Sequence, residues 1–375
     1  MMTRLSTYPS GPSRHLSQYR PESDEEFAKR LGISTEAVAL TRRSDFIDLH
    51  LDSFIPPRLW GYDLQFRHGS FPFAGRFFGH SDFVRALDGG LTGGLWSITT
   101  NPFRSAASRW RVFLKNLTRF QDVIASTQGK YRIVNNLAQY HEARRDGAHG
   151  CFLSIQGGNA LEAAPDGPAS IPGQAIVRVT LVHLTNSVFG VTSSPLAGRQ
   201  ANNGLTTKGK EFVQQLNTQR ILVDLAHINP KGFWDAVAVS DRSLPIVATH
   251  TGVSGVCPHW RNLDDAQIRA IADSGGVVGI IFANQFLHYK NGPPDGRIVI
   301  EHMRHVLRLV GDEYIAVGSD FDGAITPPAD LRTADAYPRL VQHMLNEGWG
   351  QERIQRILGK NIIRVLSMIR PGTPN

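Results

Sequence analysis

The stretch Phe46-Ile47-Asp48-Leu49-His50-Leu51-Asp52 decides how this chain of 375 residues folds. It reads as a buried strand, and it ends in a histidine and a carboxylate. Residues i and i+2 of a strand share one face, so His50 and Asp52 point the same way from its C-terminal end. A dinucleotide-binding sheet would carry a Gly-rich phosphate turn here. Asp48-Leu49-His50-Leu51-Asp52 argues against that doubly wound alternative. It offers an imidazole and a carboxylate, a normal pair for a zinc-like divalent ion.

Working outward, seven more apolar or β-branched runs follow at residues 93–98, 150–155, 177–183, 220–225, 245–249, 277–282 and 314–318. Most are apolar on both faces, as buried parallel strands are. Amphipathic helical patterns lie between them at 108–126, 264–274, 299–310 and 331–346, and 351–368 closes the chain. Eight strands alternating with helices predict a (β/α)8 TIM barrel over residues 45–370. Residues 131–134 are a ninth candidate strand, so the count alone does not close the barrel. Residues 1–44 read as an N-terminal arm, partly disordered or helical, with helical stretches at Asp24–Leu31 and 34–41 and Ser34 as an N-cap. Residues 371–375 are a tail.

Composition narrows the functional classes. Hydrophobic residues make up 41% and charged residues 19%, enough for a sizeable core. The net charge of +7 comes without a basic block or a nucleic-acid motif, so it reads as a surface that favours anionic partners and not as a nucleic-acid interface. Two cysteines, Cys151 and Cys257, exclude a disulfide framework. No apolar run approaches the ~20 residues of a membrane span. Arg4, Arg14, Arg20 and several serines faintly suggest organelle targeting, but Pro9, Gly11 and Pro12 would break the helix that needs. A cytoplasmic protein without a membrane partner is the expectation.

The other strand ends sharpen the metal reading. The fifth run leads into Asp224-Leu225-Ala226-His227, the sixth into Thr249-His250, and the eighth into Ser319-Asp320-Phe321-Asp322. One histidine after an apolar strand is most often a satisfied core or loop residue. Two histidines and an aspartate at three strand ends, added to His50 and Asp52 at a fourth, converge on the C-terminal face where barrel enzymes keep their chemistry.

Several stretches carry a resemblance: 47–52, 157–161, 181–186, 224–227 with Phe233-Trp234-Asp235, 248–250, Cys257-Pro258-His259 with Arg261-Asn262-Leu263, 270–279 and 318–323. Over residues 45–366 the sequence resembles the membrane (renal) dipeptidase family of the amidohydrolase superfamily. The resemblance implies a zinc hydrolase that cleaves dipeptides. It implies that His50 and Asp52 hold one ion, that His227 and His250 hold another, and that a glutamate after the third strand bridges them. It implies Asp320 as the proton-transfer acid and base, His183 as the group that polarises the scissile carbonyl, and Arg261 as the holder of the substrate carboxylate. These residue types suit such roles. A cation lowers the pKa of water, a nearby carboxylate moves its proton, an imidazole donates to an oxyanion, and a guanidinium clasps a carboxylate. Dimers are common in such a family, which leaves a homodimer open, although no helix advertises an interface.

One departure matters. Gln156 stands where the family has its bridging glutamate, and Asn159 where it has a histidine. The Gln156 carbonyl can bind one ion, but its NH2 cannot bind a second, and it brings no charge to offset two. Three outcomes follow: one zinc ion shared among first, fifth, sixth and eighth strand ends, which is favoured; two weakly held ions bridged by hydroxide; or a non-catalytic ligand-binding barrel. A changed centre also admits a different scissile bond, in a lactone or a modified amino-acid conjugate.

Other signals carry less. His302 and His305 belong to the outer helices and read as packing. Asp322 reads as a loop cap, Asp224 as a group that orients a histidine or fixes a loop, and Lys208 and Lys210 as a solvated helix start. The loop 190–204 reads equally as a lid or as an ordinary surface loop. The aromatic segment 59–78 reads as part pocket wall and part packing.

Overall fold

Every strand pairing is parallel in the computed structural model, which describes residues 14–69 and 75–372. Among the described residues the strands are β1 (Ile47–Leu51), β2 (Gly93–Thr99), β3 (Tyr131–Ile133), β4 (His149–Gln156), β5 (Ile176–Thr180), β6 (Leu222–Asp224), β7 (Ile246–Thr251), β8 (Val278–Ile280) and β9 (Ile315–Val317). Eight of them run in the order β1-β2-β4-β5-β6-β7-β8-β9. The ring closes where β1 meets the chain just past β9. Leu51 bridges Phe321, Asp52 N–H donates to Phe321 O at 2.9 Å, and Asp320 N–H donates to His50 O at 3.1 Å. The expected (β/α)8 barrel is the fold, and its seam is also where His50, Asp52 and Asp320 come together.

The ninth candidate strand is real but lies outside the ring. β3 pairs with the first residues of β4, from Tyr131↔His149 to Ile133↔Cys151, and β5 takes over that edge from Leu153 onward. Several of the apolar runs overreach, two of them by two residues or more at the C-terminal end. The run 177–183 stops as a strand at Thr180 and the run 277–282 at Ile280, because the chain turns into loops there. The 331–346 pattern yields a 3-10 turn at Ala334–Ala336 and an α-helix over Tyr337–Asn346, with Pro338 in its first turn.

The helices form where caps and apolar faces coincide. Ser105 accepts from Ser108 N–H at the start of the helix Ala106–Ala125, which buries Phe113, Leu117 and Phe120. In the arm, helix α1 (Asp24–Leu31) begins in a capping box of Ser23 with Glu26 and ends at Gly32, whose φ of 66° a glycine adopts without strain. Helix α2 (Thr35–Arg43) starts at Ser34, which accepts from Ala37 N–H. Phe27, Ala28, Leu31 and Val38 form a small cluster, while Ala37 and Leu40 join the main core. This half of the arm is a packed helical pair, not a loose strap. Residues 1–13, 70–74 and 373–375, and with them Arg4, Pro9, Gly11, Pro12, Phe71 and Phe73, lie outside the described residues.

The barrel interior beneath the C-terminal mouth is unusual. Such interiors are filled mainly by branched aliphatic residues. Here Ser97, Ser154, Arg178, Thr180, Asp224 and Thr249 are all buried. Arg178 Nη1 lies 3.4 Å from Asp224 Oδ2, a fully buried ion pair. A pair of this kind is tolerated only when hydrogen bonds satisfy its remaining groups.

Candidate metal centre

Each site residue is placed by a strand end. His50 sits within β1 and Asp52 one residue beyond it; His250 lies within β7. His227 and Asp320 each follow a strand by three residues, and both adopt positive φ, 67° and 62°. Left-handed backbone at a non-glycine residue costs energy, and it turns both side chains inward over the mouth. Gly323 is required beside Asp320: a Cβ there would meet Asp320 Oδ1 at 2.1 Å.

The His50–Asp52 pair and the His227–His250 pair expected from the resemblance lie against each other at the barrel mouth. The His50 and His250 rings lie 3.7 Å apart, centre to centre. His50, His250 and Asp320 each offer a buried ligand atom, and these atoms lie within 4.8 Å of one another. Asp52 Oδ1 is 3.6 Å from His50 Nε2, and His227 Nε2 is 2.9 Å from His250 Nε2. The two pairs and Asp320 thus make one contiguous cluster.

Gln156 fills its middle. With its nitrogen turned toward Asp52, the amide donates to Asp52 Oδ2 at 2.7 Å, and its oxygen accepts from His183 and His227 Nε2 at 3.1 Å each. The reverse orientation sets like against like, so the first is assigned. The neutral side chain therefore bonds to both halves of the cluster, where a carboxylate would bind two cations.

A single divalent ion fits the donor set. Two imidazoles and a carboxylate are ordinary ligands for zinc-like ions. Burial holds His50, His227 and His250 well below the ordinary 6.5, so all three are neutral. Asp320 is pushed well above the carboxylate range by burial and by Asp52, and burial lifts Asp52 to about 7. Asp320 Oδ1 is buried without a hydrogen-bond partner. Crowded, desolvated carboxylates with an unmet acceptor are the surroundings that a cation relieves.

The groups behind these ligands differ. Thr249 Oγ1 donates to Asp224 Oδ2 at 2.7 Å and lies 2.9 Å from His250 Nδ1. With its proton committed to Asp224, the hydroxyl accepts from Nδ1–H and leaves the His250 Nε2 lone pair facing the cluster, with His227 Nε2 at 2.9 Å. Asp224 orients His250 through this hydroxyl; it also fixes the loop by accepting from Ala226 N–H. Arg178 is what sequence reasoning missed. Its signal was a lone cation inside the apolar strand Ile176-Val177-Arg178-Val179-Thr180.

His183 and Arg261 flank the cluster. His183 is partly exposed, and burial, with His50 and the Arg261 guanidinium, brings its imidazole down to about 4, against the pull of Asp52. Arg261 Nη2 donates to His250 O at 2.7 Å, and its buried Nε has no partner, a donor left for a ligand. The discounted residues have structural partners. Asp322 accepts from Ser53 Oγ and from the Gly79 and His80 N–H groups. His302 bridges Val253 N–H and Leu287 O, and His305 pairs with Asp265 at 2.7 Å. The first part of loop 190–204 is pinned: Ser193 N–H donates to His227 O and Thr192 Oγ1 to His183 O. In the aromatic segment Tyr62 is buried, whereas Trp60 and Phe77 are exposed.

With this geometry in hand, the known proteins most like it are informative. The family profile of Membrane dipeptidase (Peptidase family M19) matches residues 34–371. The chain belongs to this family. It is therefore a hydrolase of the metallodipeptidase type, metal-dependent and dipeptidase-like. A Klebsiella pneumoniae protein, an uncharacterized protein in the pqqA 5' region, is 30% identical over 69% of this chain and 96% of its own length. The dipeptidase tcpJ of Claviceps purpurea is 24% identical over 77% of this chain and 69% of its own. Among solved structures, a metallopeptidase from Rhodobacter sphaeroides, liganded with a phosphinate mimic of the dipeptide L-Ala-D-Ala, shares the fold with a TM-score of 0.76 at 24% identity, over 87% of this chain and 99% of that one. A second metallopeptidase of the family, dipeptidase AC, gives 0.77 at 24% identity, over 88% and 99%. Among the described residues, no helix is long and apolar enough to cross a membrane.

Proposed function

We propose that this chain hydrolyses a dipeptide or a similarly small amide with the help of one zinc ion held by His50, His250 and Asp320. The convergence of these three buried ligand atoms within 4.8 Å carries the reading. When bound, the ion supplies Lewis acidity and lowers the pKa of water. Asp320, buried at the mouth, takes the proton of the attacking water and delivers it to the leaving amine. His183, neutral and at the mouth, turns the Nε2–H it gives to the Gln156 oxygen toward the developing oxyanion of the scissile carbonyl when substrate enters. Arg261 holds the substrate carboxylate with the donors it does not spend on His250 O. Asp52 and His227 border the ion and are bonded to Gln156.

A second reading rests on Gln156: a mononuclear centre acting on a lactone or a modified amino-acid conjugate. A panel of dipeptides, N-acyl amino acids and lactones, assayed after chelation and again with added zinc, separates the two. Zinc-restored turnover of dipeptides supports the first reading, and turnover of lactones alone supports the second. No turnover of any class, with a small molecule retained in the mouth, shows a ligand-binding barrel and overturns both.

A further inference from the structure

Arg178 meets the cluster from below, and this contact bears on how the metal-dependent reading above is realised. The side chain is wholly buried on β5. Its Nη1 donates to Thr180 Oγ1 at 2.6 Å and Ile155 O at 3.2 Å, beside Asp224. Its Nη2 donates to Ser97 Oγ at 2.9 Å and lies 2.7 Å from His50 Nδ1. A guanidinium has donors only and keeps its proton. His50 Nδ1 must therefore present its lone pair to Arg178, and the proton of the neutral ring sits on Nε2. The Gln156 NH2 donates to the Asp52 carboxylate at 2.7 Å, and its nitrogen also reaches that Nε2 at 3.2 Å as a competing neutral donor. A charged donor at 2.7 Å outranks a neutral one at 3.2 Å in setting the tautomer. Nε2–H then faces Asp52 Oδ1 and Asp320 Oδ1, each at 3.6 Å.

A histidine that binds an ion through Nε2 needs its proton on Nδ1, and the group behind it is ordinarily an acceptor. His250 has this arrangement through Thr249, whereas His50 has the reverse. We propose that Arg178 is a positioning residue that holds His50 as a hydrogen-bond donor, so that the ion of this centre binds weakly and exchanges readily. Recruiting His50 as a ligand moves its proton to Nδ1 and turns two donors against each other, and the affinity is lowered accordingly. Gln156 is then not the sole departure that limits metal at this site: Gln156→Glu alone leaves the His50 conflict in place.

The inference rests on the metal-dependent reading, and the experiment separates the two. In the metal-free full-length protein, 15N NMR of the histidine rings, with His50 assigned against a His50→Asn variant, reports the tautomer. Cobalt(II) titration followed by its visible absorption reports affinity for the wild type, Arg178→Gln and Arg178→Lys. Glutamine can accept from Nδ1–H and lysine cannot. The expected result is an Nε2–H tautomer in the wild type, with cobalt bound about 10- to 100-fold more tightly by Arg178→Gln and near the wild-type value by Arg178→Lys. An Nδ1–H tautomer, or unchanged or weaker binding in Arg178→Gln, overturns the proposal. Should Arg178→Gln fail to fold, the wild-type tautomer decides alone. Tight cobalt binding by the wild type sinks this inference and spares the metal-dependent reading; no binding by any folded variant sinks both.

Discussion

The His250 side and the His50 side of the mouth contain the same ligand type in opposite settings. Behind His250 stand a hydroxyl and a carboxylate, Thr249 and Asp224, which direct the lone pair of Nε2 toward the ion. Behind His50 stands a guanidinium, which directs the lone pair away. The rings are 3.7 Å apart and equally buried, so exposure does not distinguish them. The difference teaches that a ligand set read from residue types is incomplete until the partner of each second ring nitrogen is known.

The largest expected effect lies where both sides meet, at Asp320. Asp320→Asn removes the proton-transfer group and a ligand charge together, and kcat/KM for a cleaved dipeptide should fall by about 10³- to 10⁴-fold. A loss under tenfold would remove Asp320 from its role. Next, Arg261→Ala should raise KM by about 100-fold for substrates with a free carboxylate and leave kcat within a fewfold, since it removes binding common to ground and transition states. An equal fall in kcat would place Arg261 in the chemical step. The comparison itself is tested by Thr249→Val, which deprives His250 Nδ1–H of its acceptor. Metal affinity should drop by about 10- to 100-fold, whereas Ser97→Ala, which removes one acceptor of Arg178 and a distant neighbour of His50 Nδ1 but leaves the Arg178 contact with His50 in place, should change it less than threefold. Equal effects would erase the asymmetry.

A smaller effect concerns histidines outside the centre. Burial lowers His149 and His302 from the ordinary 6.5 to about 4. Both are neutral in the folded chain and gain a proton more readily once unfolded. Their contribution is full above pH 6.5 and is lost as the pH falls toward 4, each on the order of 2–3 kcal/mol. The melting temperature of the metal-free protein should therefore fall by several degrees between pH 7 and pH 4.5. A melting temperature that rises over that interval would contradict the assignment of these two rings as neutral.

Much of the fold was legible because buried parallel strands leave continuous apolar runs, and eight of them mark the ring. The strand ends were less legible: His183 sits three residues beyond β5, since an apolar run does not show where pairing stops. The cluster of His50, Asp52, His227, His250 and Asp320 was legible from spacing at strand ends, because a barrel gathers those ends at one face. The contact between its two halves was not. That His50 lies against His250, and not only beside Asp52, depends on the closure of β1 onto the chain after β9, a contact across 271 residues between Asp48 and Ser319. The role of Arg178 was hidden for a similar reason: its partners Ser97, Asp224 and His50 come from three other strands, and nothing in its own run points to them.

The account turns most on the number of ions. The direct measurement is elemental analysis of the full-length protein, stripped by chelation, equilibrated with zinc and freed of excess by gel filtration in buffer of known free zinc. With Gln156 bonded to both halves of the cluster, the account predicts that binding saturates at one zinc per chain. Saturation at two per chain would contradict it.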